Sequence, residues 1–76
     1  MELTILTTLE SAHPRLLKRT VLQAEISLVT DRFTKTAFDR TLVVLEEKGQ
    51  IRIHAGEDVE RVSITADGLN RLAESR

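Results

Sequence analysis

Leu42-Val43-Val44-Leu45-Glu46-Glu47-Lys48-Gly49-Gln50-Ile51 is the stretch in which the apolar period of this chain changes. Upstream of it and within it, Phe38, Thr41, Leu42 and Leu45 recur at i, i+3, i+4 and i+7, the spacing of one helix face. Downstream, Ile51 and Ile53 alternate with Arg52 and His54, the period of a strand with one buried face. Gly49 separates the two patterns and supplies the left-handed backbone that stops a helix abruptly. A helix is therefore expected from Thr34 to Lys48, with Thr34 as its N-cap and Thr30 as a competing choice.

Reading onward, Val62 and Ile64 alternate with Arg61 and Ser63, so two short antiparallel strands form a hairpin. Its loop, Ala55 to Glu60, is polar and contains Gly56. Thr65 can cap a last helix, Ala66 to Ser75, in which Leu69, Leu72 and Ala73 recur at i, i+3 and i+4. Gly68 inside that helix costs about 1 kcal/mol relative to alanine, which is explained either by close packing of a neighbour or by tolerated imperfection.

Reading backward, Ile5, Leu6 and Leu9 give a first helix over Glu2 to Ala12, with Leu3 and Ala12 on adjoining faces. His13-Pro14 interrupts it, and a second helix starts somewhere from Pro14 to Thr20. Leu17, Val21, Leu22, Ala24, Ile26 and Leu28 form its apolar stripe, with Arg15, Lys18, Arg19 and Glu25 on the other side. Val29 to Phe33, carrying Thr30 and Asp31, reads as the turn between the second and third helices.

With 76 residues the chain makes one domain, 1–76, in which most apolar positions are structural. An apolar fraction of 41 % with 30 % charged residues is that of a folded, soluble protein. Cysteine is absent, so burial alone must hold the fold, in keeping with a cytoplasmic protein. No basic leader precedes an apolar run, and none is long enough to span a membrane. The net charge of −1 is unevenly distributed. Residues 1–45 carry six basic against five acidic side chains, and residues 46–76 five against seven, so a basic face belongs to the N-terminal part.

Helix, helix, helix, hairpin, helix is the layout of the winged helix-turn-helix. Leu45-Glu46-Glu47-Lys48-Gly49-Gln50-Ile51 resembles the Leu-Glu-x-Lys-Gly-x-Ile ending of the recognition helix in bacterial and archaeal winged-helix regulators. Ser63-Ile64-Thr65-Ala66-Asp67-Gly68-Leu69 resembles the Leu-Thr-x-x-Gly that closes their second wing strand and opens their last helix. The multiple-antibiotic-resistance and phenolic-acid repressor groups are the most similar, over nearly the whole chain. The resemblance implies a mainly helical α+β fold with three helices, a two-stranded antiparallel wing and a C-terminal helix. It also implies sequence-specific binding of double-stranded DNA by a small transcriptional regulator, with the third helix in the major groove.

On that reading Lys35 and Arg40 reach guanine edges or phosphates, and Thr36 a phosphate or a thymine methyl. Asp39 either accepts from a cytosine amino group, orients Arg40, or serves as a local ion-pair partner. Arg15, Lys18 and Arg19 at the start of the second helix would clamp phosphates or form a solvated basic face. Arg32 would approach the backbone from the turn. Arg52 and Arg61 on the hairpin would meet phosphates or the minor groove, or pair with acidic neighbours across the strands. Glu57, Asp58 and Glu60 would be repelled by phosphates, which keeps the hairpin tip off DNA and open to a protein partner.

Other chemistries lack residues. His13 and His54 are the only histidines and stand far apart, so no metal or cofactor site is expected. No phosphate loop or nucleophile arrangement points to an enzyme. Phe33 and Phe38, the only aromatics, offer no stacking platform for single strands or RNA. The rival to DNA binding is a winged helix used as a protein-interaction module. A homodimer is expected from the weak grip of one reading helix, with the first and last helices, and Leu3 or Leu69, at its interface.

Overall fold

The computed structural model describes residues 1–76. Helix α3 spans Lys35–Glu47 and is fixed at both ends by the residues that the sequence marks. Thr34 Oγ1 accepts the amide of Ala37 at 3.1 Å, satisfying one of the donors that a helix start leaves free. At the other end Gly49 has φ +73°, and the amides of Gly49 and Gln50 turn back to the carbonyls of Glu46 and Leu45 at 2.9 and 3.0 Å. Thr30 belongs instead to the end of the preceding helix. Phe38, Leu42 and Leu45 are buried as expected, and the ring of Phe33 packs on Phe38 with centroids 5.8 Å apart.

Helices α1 (Glu2–Ala12) and α4 (Ala66–Ser75) hold the expected bounds. Together the helices and strands enclose one cluster of 12 buried residues, including Ile5, Leu6, Leu9, Leu22 and Ile26. Leu17, Ile53 and Leu69 pack against its rim, and no polar side chain is buried without a partner.

The region before and within the second helix departs from expectation. Leu17–Lys18 is a strand, β1, while helix α2 begins at Arg19, within the expected Pro14 to Thr20, and runs to Val29, leaving Thr30 to Thr34 as the connection in place of Val29 to Phe33. The chain is thus a mainly helical α+β fold of four helices and a three-stranded antiparallel sheet, ordered β1-β3-β2, rather than one with a two-stranded hairpin alone. β2 is Ile51–His54 and β3 is Arg61–Ile64. The added strand covers the edge of β3 that the hairpin leaves open, pairing Leu17 with Val62 and Lys18 with Arg61.

The apolar stripe expected on α2 is also narrower than drawn. Only Leu22 and Ile26 are buried, one helical turn apart, while Val21 and Ala24 are exposed and Leu28 is 85 % exposed. Helix α2 packs on α1 and on the short strand β1, and only the line of side chains facing the shared core is buried, which leaves the flanking apolar positions in solvent. No helix is long and apolar enough to cross a membrane.

Candidate nucleic-acid interface

The outer face of α3 presents Lys35, Thr36, Arg40 and Val43 to solvent, with Asp39 half-buried among them. Lys35 and Asp39 are one turn apart, and Lys35 Nζ lies 2.6 Å from Asp39 Oδ2. The other carboxylate oxygen receives the Arg19 guanidinium from the first turn of α2 at 2.9 Å. Hydrogen bonds from Lys35 first and Arg19 second hold the Asp39 carboxyl below its ordinary value, against a smaller opposing effect of burial. Asp39 is thus held in two ion pairs, with Lys35 and Arg19, and in none with Arg40.

Arg19 reaches further. Its second guanidinium nitrogen meets Glu60 Oε1 at 3.1 Å, and its backbone amide donates to the Glu60 carbonyl at 2.9 Å. One side chain thus ties the start of α2, the outer face of α3 and the end of the hairpin loop together. Glu60 is partly neutralised by this contact, whereas Glu57 and Asp58 at the tip are exposed without a partner.

The sheet register settles where the strand cations point. Lys18 is paired with Arg61, Arg61 with His54 and Arg52 with Ser63, so all five side chains share the face turned away from the core. The acidic cross-strand neighbours once open to Arg52 and Arg61 are absent, since their partners are Ser63, His54 and Lys18.

The structure does not bring every candidate to this region. Arg15 precedes α2 by four residues, its amide closes the turn onto Ala12, and it lines a groove between α1 and α2 with Thr7, Ser11 and Glu25. It is not a clamp at the start of that helix, and Lys18 sits there only as an extended N-cap residue within β1. Arg32 occupies the α2–α3 connection with φ +55°, an uncommon conformation for a side-chain-bearing residue. Leu69 is partly buried against the core, whereas Leu3 is 43 % exposed. The most exposed large apolar residues are Leu28 and Val29 at the end of α2.

Sorting the cations by partner separates two sides of the molecule. Lys48 and Arg71 both meet Glu2, at 3.2 and 2.6 Å, and Arg76 pairs with Glu10. These C-terminal cations are consumed by carboxylates of α1. Arg15, Lys18, Arg32, Arg40, Arg52 and Arg61 make no ion pair within the protein. Sequence reading found these residues by charge counting but missed the Arg19 tie, whose partners are 20 and 41 positions away.

Comparison of the chain with known protein families, with curated proteins and with solved structures finds no match in any of the three.

Proposed function

We propose that this chain is a winged helix-turn-helix domain that binds double-stranded DNA as a small sequence-specific regulator in the cytoplasm. The observation that carries the reading is the set of cations without internal partners. Arg40 on α3 and Lys18 and Arg61 on the adjoining sheet keep their charge for an external anion, although the net charge of the chain is −1. In this proposal α3 enters the major groove, which admits a helix and displays a distinct pattern for each base pair. Arg40 and Thr36 contact bases or phosphates, Lys35 joins them by exchanging Asp39 for a phosphate, and Lys18 and Arg61 grip the flanking backbone. Arg19 sets the angle of the hairpin to α3 without touching DNA itself.

A single domain with few phosphate contacts binds weakly, so the proposal includes a homodimer reading half-sites about one helical turn apart. The test is a titration of mixed-sequence duplex at two salt concentrations, with the wild type and with Lys35 and Arg40 changed to alanine. The expected result is salt-dependent binding whose slope falls by about one for each phosphate contact removed. Binding that ignores salt, or that both variants leave unchanged, excludes the reading.

A second reading, a protein-interaction module, is favoured by Leu28 and Val29 at 85 % and 68 % exposure and by the unpartnered Glu57 and Asp58. It predicts no duplex binding and loss of partner capture on changing Leu28 to lysine.

A further inference from the structure

The outer face of the sheet bears a feature that DNA reading by α3 does not require. Arg52, His54 and Ser63 line an open depression of about 330 Å³, lined also by His13, Pro14 and Leu16 from the segment after α1. Every charged or titratable side chain lining it is basic: no carboxylate is present. The Arg52 guanidinium makes no ion pair or hydrogen bond within the protein, so its donors remain available.

The donors converge from two strands. Arg52 on β2 is directly opposite Ser63 on β3, which brings their Cβ atoms to about 4.5–5.5 Å and both polar ends within reach of one small anion. His54, two residues along β2 on the same face, has Nε2 at 2.9 Å from Ser63 Oγ. When the ring donates to that oxygen, the serine hydroxyl hydrogen is free to donate outward. A guanidinium fork takes two oxygens of an anion, and a hydroxyl from the facing strand takes a third. A tetrahedral phosphate offers oxygens in those directions, whereas a planar carboxylate has only two.

We propose that this depression is a phosphate-binding site, with the Arg52 guanidinium and the Ser63 hydroxyl as its donors, His54 orienting the hydroxyl, and Pro14 and Leu16 forming an apolar wall. The phosphate comes either from a free phosphate or phosphate monoester, which offers the three unesterified oxygens these donors can take, or from a nucleic-acid backbone, whose diester offers two, enough for the Arg52 fork alone or for one Arg52 contact and the Ser63 hydroxyl. The site goes beyond the DNA reading and stands if that reading falls.

The test is a titration of the full chain with inorganic phosphate against chloride at equal ionic strength, followed by amide chemical shifts. Saturable shifts at Arg52, His54 and Ser63 are expected, weakened at least about tenfold in Arg52→Gln and several-fold in Ser63→Ala, while Arg40→Ala retains them. Arg52 and Ser63 are not in the core, so both variants should fold, which the dispersion of the same spectra reports. A mixed-sequence duplex is the second arm. Shifts of these amides by duplex, lost in Arg52→Gln, assign the phosphate to a backbone, and duplex binding that leaves them unmoved assigns it to a free phosphate. Phosphate shifts that do not saturate, or that persist in Arg52→Gln, overturn the site. Failure of the DNA reading shows separately, as indifference of duplex binding to Lys35 and Arg40.

Discussion

Thr65 Oγ1 donates to the carbonyl of Gly49 at 2.5 Å, and the Thr65 amide donates to the carbonyl of Gln50 at 3.1 Å. The same hydroxyl oxygen accepts the amide of Gly68 at 3.2 Å as the cap of α4. The glycine that ends α3 and the threonine that begins α4 are therefore one joint, although a hairpin separates them in the chain. This contact gives a physical reason for both motifs in one sequence: each supplies half of the joint.

Gly68 is the test of how tightly that joint is built. A Cβ there would collide with the Gln50 carbonyl oxygen and lie 2.6 Å from Ile64 Cγ1, inside any normal contact. Helix propensity alone predicts that Gly68→Ala stabilises by about 1 kcal/mol. Overpacking against backbone costs roughly 1–3 kcal/mol, and the collision decides the sign. Urea denaturation should show Gly68→Ala less stable than the wild type. A higher midpoint would mean that the Gln50 backbone yields.

Thr65→Val keeps the shape of the side chain but removes both the cap and the bond to Gly49. A lost cap costs about 1 kcal/mol, and leaving a carbonyl unpaired adds to it. Thr65→Ser should recover most of the loss, because the hydroxyl rather than the methyl makes the contacts. Thermal unfolding of the two variants side by side separates the hydrogen bonds from packing.

Stability should fall in acid for an identifiable reason. The Arg71 hydrogen bond chiefly holds Glu2 below its ordinary 4.5, with Lys48 assisting, and Lys35 and Arg19 hold Asp39 below its ordinary 3.8. For a carboxylate depressed on folding, the unfolded chain takes up the proton first. Its stabilising contribution is thus complete above the ordinary value and is lost as pH falls through the lower folded one. The urea midpoint should accordingly be flat near neutrality and drop as pH descends past 4.5 and then 3.8. Replacing Glu2 by Gln should lower the neutral plateau and shallow the drop.

How much of this was legible in the sequence depended on whether a period was long enough to read. Phe38, Leu42 and Leu45 declared α3, and Ile51, Ile53, Val62 and Ile64 declared the hairpin, because several repeats of one spacing fell on one face. Leu17–Lys18 has two residues and no period, and Leu17 also fits a helical stripe with Val21, so the third strand was invisible. Val21 and Leu28 look like core residues by type, but which apolar positions a helix buries depends on the width of its neighbour. The strand alternation placed Arg52 and Arg61 outward, while their register with Lys18, His54 and Ser63 came only from pairing. Arg19 was noted as a cation, yet nothing local marks Asp39 and Glu60 as its partners.

Those partners make Asp39 the residue whose replacement separates base reading from ion pairing. Its carboxylate neutralises Lys35 and Arg19 on the face that the proposal turns toward phosphates. Asp39→Ala removes a like charge from the approach of DNA and frees Lys35 at a cost in stability of about 1 kcal/mol, the Lys35 pair being exposed and the Arg19 pair half-buried. Binding to mixed-sequence duplex should then tighten, with a salt slope steeper by up to about one for the released cation. If Asp39 instead accepted from a cytosine amino group, the same change would weaken binding to a preferred site and relax its sequence preference while the salt slope stayed put. The two outcomes differ in sign, and a titration at two salt concentrations on a preferred and a mixed duplex distinguishes them.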